Sequence, residues 1–426
     1  MTITEPAEGE PAGTRRAVWW WLLLGGAALV ALAAIVVPWD WPGPDTSGAM
    51  DPDAGLTADT LAAIHDYQST AVPLGLSAHA VSIALALLLG LTPLGARLVR
   101  RLPGRRRWPV HLLMTVLALV VLGRLVTLPM TVPLEAARRA AGLSTRSWPA
   151  WALDVTRGVL VDSVSTGIAL LVLLGLARWG RRGWWLLASV AAGLLVVAGS
   201  YLYPVFVEPV FNSFEPLPDG RLRTSLVQLA AEDGITVDEV LQVDASRRTT
   251  ALNAYVSGLG STRRVVLYDT LLREASAAEI RVVLAHELGH ADAHDVETGT
   301  ALGALGAMAG VTALILLAGA GPVRRRAGVA GLHTIEAVPL VLAVVAVGML
   351  VALPAQNAVS RAIEARADVH ALELTGATRS FEVMQRRFAA TNLTDPDPPR
   401  WLYLWFANHP SAAERIALAR SWSAER

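Results

Sequence analysis

The chain contains no cysteine and no lysine. Without cysteine there can be no disulfide and no thiolate metal site, so any zinc must be held by histidine and carboxylate. With lysine absent, all 36 basic residues are arginine, a mark of genome composition rather than of function. They equal the 36 acidic residues, so the formal net charge is zero and nothing in the balance points to nucleic acid or to an acidic substrate. Charge as a whole is scarce. It makes up 17% of 426 residues against 53% apolar, with a mean hydropathy of +0.45. That excludes an ordinary soluble composition.

What is present is a set of long uncharged runs. A membrane helix needs about 20 mostly apolar residues, and seven runs qualify. They are Ala17 to Val37, Ala71 to Leu94, Pro109 to Val132, Gly158 to Leu176, Trp184 to Val207, Gly299 to Gly321, and Ala337 to Leu353. The first is led by Trp19, Trp20 and Trp21, suited to an interfacial belt. It is long for a signal peptide and shows no convincing cleavage site, so it reads as an anchor. Arg124 and Asp162 lie inside spans, where charge is expensive; they either line a polar chamber or pair with each other. The spacing of Gly299, Gly303, Gly306 and Gly310 suggests close helix packing.

The spans divide the chain into a polar tail (1–16), a membrane region (17–207), a first polar segment (208–298), two further spans (299–354) and a second polar segment (355–426). Two spans separate the polar segments, so both return to the same side and can join into one domain. Arginines crowd the loops after spans two, four and six: Arg97 to Arg107, Arg178 to Arg182 and Arg324 to Arg326. The positive-inside rule puts those loops in the cytoplasm and the polar segments outside. One loop dissents, with Arg138, Arg139, Arg146 and Arg157 after span three.

Ser276-Ala-Ala-Glu279 has the form of a capping box that opens a helix. The helix runs on into His286-Glu287-Leu-Gly-His290. Histidines four apart share one helix face and can meet one metal, with Glu287 beside them as general base toward an activated water. A catalytic zinc takes a third protein ligand. Glu364, on an apparent helix after span seven, can supply it, and Asp368 one turn on can accept the free ring N–H of a ligating histidine. The plain alternative is a solvated carboxylate pair, which the even number of intervening spans disfavours. His409, in Asn408-His409-Pro410, is a candidate oxyanion donor, although on spacing alone it is a plain loop histidine. His65, His79, His111 and His333 read as structural or incidental, His294, one turn beyond His290, either supports a ligand or has no role at the site, and His370 stays unassigned. Residues Ala251 to Gly258, with Asn253, Ala254 and Tyr255, and Arg264 to Tyr268 read as two strands joined by a glycine-containing loop. The first strand either supplies a substrate-pairing edge or is a purely structural hairpin.

Several strings match one family together. They are Tyr203-Pro-Val-Phe-Val-Glu-Pro209-Val-Phe211-Asn212-Ser-Phe214-Glu-Pro216-Leu217, Ser246-Arg-Arg248, Asn253-Ala254-Tyr255, Val265-Val-Leu-Tyr-Asp269-Thr270-Leu271, His286-Glu-Leu-Gly-His290, Ser360-Arg361-Ala-Ile-Glu364-Ala-Arg-Ala-Asp368, Asn392-Leu393 and His409-Pro410-Ser-Ala-Ala-Glu414-Arg415. From about Leu128 to the C-terminus the chain resembles the type I CAAX prenyl endopeptidases, integral-membrane zinc proteases related to the HtpX-type enzymes. The resemblance implies seven spans around a water-filled chamber, and one zinc ion on residues matching His286, His290 and Glu364, with Glu287 as base. It also implies a surrounding shell of Asn357, Arg361, Asp368 and His409, and backbone binding of substrate by Asn253 to Tyr255. Ala291 departs from the family, which has an aromatic at that place. The orientation also departs: eukaryotic members face the catalytic domain to the cytosol, whereas the arginine pattern here faces it outward.

The expectation is therefore a mainly α-helical, seven-span protein with a small α+β zincin domain. It is expected to be a zinc endopeptidase in a bacterial plasma membrane, acting on membrane-associated or misfolded peptides, lipid-modified ones included, with no nucleic-acid partner. The competing reading is a non-catalytic transporter or scaffold with a structural metal site. Glu287 argues against it, because a structural site needs no general base.

Overall fold

The computed structural model describes residues 12–40, 50–180, 182–235, 239–257 and 264–426. The membrane part begins with helices α1 (Ala12–Val36), α2 (Ala58–Gly90), the short α3 (Pro93–Arg101), α4 (Trp108–Ala140), α5 (Trp148–Trp179) and α6 (Trp184–Leu202). Helix α6 runs through a π-helical turn, Tyr203–Val207, into α7 (Glu208–Phe211). Pro204 and Pro209 lack the backbone N–H that a regular ladder needs, which accounts for the irregular turn. The polar segment then holds β1 (Phe214–Pro216), α8 (Arg221–Glu232), β2 (Glu239–Val243), β3 (Ala254–Ser257), β4 (Arg264–Tyr268), α9 (Asp269–Glu274) and α10 (Ala277–Asp292). The chain returns through α11 (Asp295–Gly319), the short α12 (Gly321–Ala327) and α13 (Val338–Thr375), and ends in α14 (Thr378–Asn392), α15 (Arg400–Phe406) and α16 (Ala412–Ala424).

Among the described residues, seven helices are long and apolar enough to cross a membrane, in the order the hydropathy suggests. Their outer faces stay bare. Ile35 is 82% exposed and Val351 74%, with Leu23, Leu194 and Phe206 also uncovered. Such a surface suits hydrocarbon, where a helix satisfies its own backbone. The interior of the bundle is closed by Leu112, Val116, Leu174, Ala318 and Leu340. The tightest approach of α6 and α11 is at Gly193, where a Cβ would fall 2.9 Å from Met308 Cγ. Of the four glycines expected to pack, only Gly303 meets a neighbour, Val196, while Gly299, Gly306 and Gly310 face open space.

A second core lies outside the bundle. It joins Leu226, Leu267, Ile280, Leu284 and Leu288 to Leu372, Phe381, Met384 and Ala419, so residues from both polar segments share it. The sheet order is β1-β2-β4-β3, with β2 and β4 parallel and both outer pairs antiparallel. The two expected strands are β3 and β4; their connecting loop, with Gly258, lies outside the described residues. Helix α13 passes straight through Pro354, so the seventh span and the segment with Glu364 are one 38-residue helix, and the boundary expected at 354 falls inside it.

Loops after spans one and three touch this second core. Arg386 Nε donates to Ala54 O at 2.8 Å, and Ser144 bridges Thr249. The connections after spans two, four and six gather at the opposite end of the bundle. Arg124 and Asp162 approach to 3.9 Å. Arg124 also borders a cavity of about 410 Å³ with Arg146, Asp154, Glu208 and Arg248, whereas Asp162 is not among the residues lining it.

Candidate metal centre

The site is built on α10. Its start is fixed by the expected capping box: Glu279 N donates to Ser276 Oγ at 3.3 Å, and Ser276 N donates to the Glu279 carboxylate at 2.8 Å. One face, with Ile280, Leu284 and Leu288, is sunk in the second core, while His286 and His290 turn toward Glu364 of α13. Gly289 permits the approach. A Cβ there would lie 3.0 Å from His370 Cβ and 3.2 Å from Ala367 Cα, so any side chain would press the two helices apart. The same contact carries Glu364 to the histidines.

His286 Nε2 and His290 Nε2 lie 3.2 Å apart. Glu364 Oε2 is 3.2 Å from His286 Nε2, and Oε1 is 3.5 Å from His290 Nε2. The three groups offer ligand atoms within 4.8 Å of one another. Tetrahedral ligands at about 2.0–2.1 Å from one zinc ion stand roughly 3.4 Å apart, so the donor set fits. Electrostatics point the same way. Each imidazole is bound at Nδ1 to a carboxylate, which must accept, so both Nε2 lone pairs face one point beside a third, anionic donor. Such a convergence calls for a cation. Burial would lower the His286 imidazole, but hydrogen bonds and charge from Asp368 and Glu364 overrule it and hold it up at about 10, so this anionic pocket favours positive charge at the ring, a proton that a metal ion at Nε2 would displace.

The Nδ1 partners form two parallel chains. His286 Nδ1 is 2.9 Å from Asp368 Oδ1, and Asp368, fully buried, is gripped by both arms of Arg415, with Nε at 2.8 Å. His290 Nδ1 is 2.9 Å from Asp295 Oδ2, and Asp295 is in turn paired with Arg366. Asp368 stands where the spacing argument places it. Asp295 is not legible from spacing: His294 takes a left-handed φ of 54°, ends the helix, and turns the next residue back toward His290. The His294 side chain is 69% exposed and lies 3.8 Å from Glu297, away from the centre. His370 pairs with Asp233 at 3.0 Å.

The remaining residues fall into three groups. His409 Nε2 sits 3.4 Å from Glu364 Oε1, with Nδ1 held 2.9 Å from Asn408; burial pushes its imidazole down. Asn357 and Arg361 bind backbone rather than ligands. Asn357 Nδ2 donates to Trp405 O at 2.7 Å and Arg361 to Ala407 O at 2.6 Å, so both fasten the segment leading to His409. On its far side that segment opens α16 with a second Ser-Ala-Ala-Glu capping box, Ser411 to Glu414, which sets Arg415 against Asp368. Asn253, Ala254 and Tyr255 are placed by β3, which pairs with β4 and has no partner on its other edge among the described residues. Asn253 is exposed, Ala254 buried and Tyr255 half-buried. Asn392 Oδ1 accepts from Leu252 N at 3.1 Å and steadies the strand's entry.

The surrounding strings tie the site to the bundle. Arg248 Nε donates to Asp154 at 2.9 Å and its Nη1 to Asn212 at 2.7 Å, and Glu208 pairs with Arg264 at 3.1 Å.

Residues 216–423 match peptidase family M48, and residues 53–213 match the CAAX prenyl protease N-terminal family of five membrane helices. An uncharacterized metalloprotease YhfN of Bacillus subtilis is 32% identical over 314 residues, 72% of this chain and 74% of that protein. The CAAX prenyl protease 1 homolog of Oryza sativa is 31% identical over 225 residues, 51% of each chain. CAAX prenyl protease 1 of Saccharomyces cerevisiae is 47% identical over 90 residues, 21% of this chain and 20% of that one. The crystal structure of S. mikatae Ste24p superposes with a TM-score of 0.76, covering 97% of this chain and 100% of that one at 20% identity, and shares the fold. The seven-span helical bundle, the small sheet and the His-His-Glu cluster fall together within these matches: the chain belongs to the M48 peptidases of the CAAX prenyl protease family and is a multi-pass membrane metalloendopeptidase.

Proposed function

We propose that the protein is a zinc-dependent endopeptidase that cuts membrane-associated peptides, with Glu287 as general base. One observation carries this reading: two histidines and a carboxylate converge on one point, each histidine held by its own Asp–Arg pair, with Glu287 on the same helical turn. The chain has no thiolate, and a nitrogen–oxygen donor set of this size suits zinc. A zinc ion held by His286, His290 and Glu364 supplies Lewis-acid polarisation of the scissile carbonyl and of the attacking water.

The chain's own residues do the rest. Asp368 and Asp295 fix both ring tautomers, so Nε2 is the free nitrogen in each case. Glu287 takes the proton of the attacking water and delivers it to the leaving amine. His409 turns Nε2 toward the reaction space, in reach of the developing oxyanion; its Nδ1 donates to Asn408 Oδ1, so Nε2 donates to the oxyanion from the protonated ring. Asn357 and Arg361 position it through the backbone they hold. The open edge of β3, at Asn253 to Tyr255, pairs an extended substrate, and its packing on α10 brings that substrate to the metal. Segments 208–298 and 355–426 act as one catalytic unit on the membrane regions 17–207 and 299–354.

Lipid-modified peptides are within the substrate class, because the site sits at the end of a lipid-facing bundle. Nucleic acid is not a partner. The protein belongs in a bacterial plasma membrane with its catalytic side outward. Support comes from the dissenting loop, three of whose four arginines are engaged internally: Arg146 with Glu135 at 2.7 Å, Arg157 with Asp154 at 3.5 Å, and Arg139 over the Trp148 ring. Cleavage of a peptide mixture by the purified protein, compared with Glu287→Ala, tests the reading. Loss of cleavage at unchanged zinc content supports it, and full activity of the variant overturns it.

A further inference from the structure

The end of the bundle opposite the metal centre carries positive charge without a counterpart among the described residues. Helix α3 exposes Arg97, Arg100 and Arg101, and the loop behind it exposes Arg105, Arg106 and Arg107. Helix α12, with Arg325 and Arg326 exposed, packs against α3. None of these side chains has a carboxylate within 4.0 Å among the described residues. Residues 91–134 contain no Asp or Glu, and residues 320–335 contain none before Glu336.

The charges are also held in place. Gly95, Ala96 and Val99 of α3 are buried, and a Cβ on Gly95 would fall 2.8 Å from Pro339 Cβ. His111, itself buried, lies with Nε2 3.0 Å from Val99 O at the end of α3. Gly328, at a φ of 69°, seats the end of α12 on Pro93, with a Cβ position 3.2 Å away. A flexible loop can spread its arginines, but a packed pair of short helices cannot, so their repulsion is built into the fold. The surface lies where the spans end, at the level of the bilayer headgroups, and Trp179 is exposed beside it.

We propose that this basic cap, α3 with its following loop and α12, binds the headgroups of anionic phospholipids. The phosphodiester oxygens take the place of the missing carboxylates, with arginine forks as donors. The cap then fixes the bundle in a leaflet rich in such lipids, independently of catalysis at the other end.

The test uses the full chain purified in a zwitterionic detergent, exposed to mixed micelles of phosphatidylcholine and phosphatidylglycerol, re-isolated, and analysed for bound lipid by mass spectrometry. Phosphatidylglycerol is expected to be retained in preference to phosphatidylcholine. Each engaged arginine is expected to contribute about fivefold to that preference. The combined variant Arg97→Gln/Arg100→Gln/Arg101→Gln loses most of it, and so does Arg105→Gln/Arg106→Gln/Arg107→Gln, which leaves both helices untouched. Arg420→Gln/Arg426→Gln, at the catalytic end, keeps it. Equal retention of the two lipids by the parent overturns the proposal, as does equal loss in the Arg420/Arg426 control. Displacement of the lipid by millimolar inorganic phosphate would mark a free-anion site and overturn it as well.

Discussion

The two ends of the bundle use the same residue in opposite ways. At the catalytic end arginine is structural wiring: Arg248 joins Asp154 to Asn212, Arg415 holds Asp368, Arg366 holds Asp295, and Arg387 holds Glu279. At the far end Arg97, Arg100 and Arg101 meet no acid among the described residues. The bulk charge of zero hides this division. A loop count treats every arginine alike, whether or not it is paired. Two of the four arginines in the loop after span three, Arg146 and Arg157, pair with Glu135 and Asp154. The lesson is that arginines alike in sequence differ in pairing, and pairing belongs to tertiary structure.

The largest effect expected of this contrast is at the metal. Asp368→Asn frees His286 from its fixed tautomer and leaves Arg415 buried without its anion. Asp295→Asn does the same to His290 and Arg366. Each is expected to weaken zinc binding about 10–100-fold. Competition with a chromogenic chelator measures it, and unchanged affinity in both would reduce these chains to scaffolding.

A smaller effect sets the two ends directly against each other. Arg248→Gln removes charge-assisted hydrogen bonds to a half-buried Asp154 and is expected to cost about 1.5–3 kcal/mol of stability. Arg100→Gln in a zwitterionic micelle is expected to change stability by less than about 0.5 kcal/mol. Thermal unfolding of the two variants side by side checks the difference, and equal midpoints would break the comparison.

The smallest effect is a pH dependence. Burial raises the Glu279 carboxyl, but hydrogen bonds from Arg387 and Ser276 outweigh it and leave it below its ordinary range. A group lowered in the folded state stabilises above its unfolded pKa of about 4.3, and that contribution is lost as pH falls through the folded value. Glu279→Gln is therefore expected to lower the unfolding midpoint at neutral pH. The gap to the parent should close below about pH 4.3. A gap that widens in acid would contradict the sign.

Much of this was legible in the sequence because the signals are local. Seven uncharged runs need no partner to be recognised. The Ser276 box and the spacing of His286 and His290 follow from one helix alone. Glu364 was reachable only through topology, by counting spans until the chain returned to the same side. The rest depends on three-dimensional accidents that leave no local mark. Asp295 reaches His290 because His294 adopts a left-handed turn. Strand β1 is three residues long and contains Pro216, so it exists only by pairing with β2. Pro354 reads as a stop yet sits within α13, whose packing on either side outweighs the lost hydrogen bond. The regular glycine spacing in α11 suggested a seam, but the close contact belongs to Gly193 on its neighbour.

The central claim is that the convergent cluster is a working hydrolytic centre with Glu287 as its base. The most direct measurement is the rate of peptide cleavage by detergent-purified parent and Glu287→Ala, with zinc content determined on both. The account predicts equal zinc and a rate lower by about 10²–10⁴-fold in the variant. Equal zinc and equal rates would contradict it.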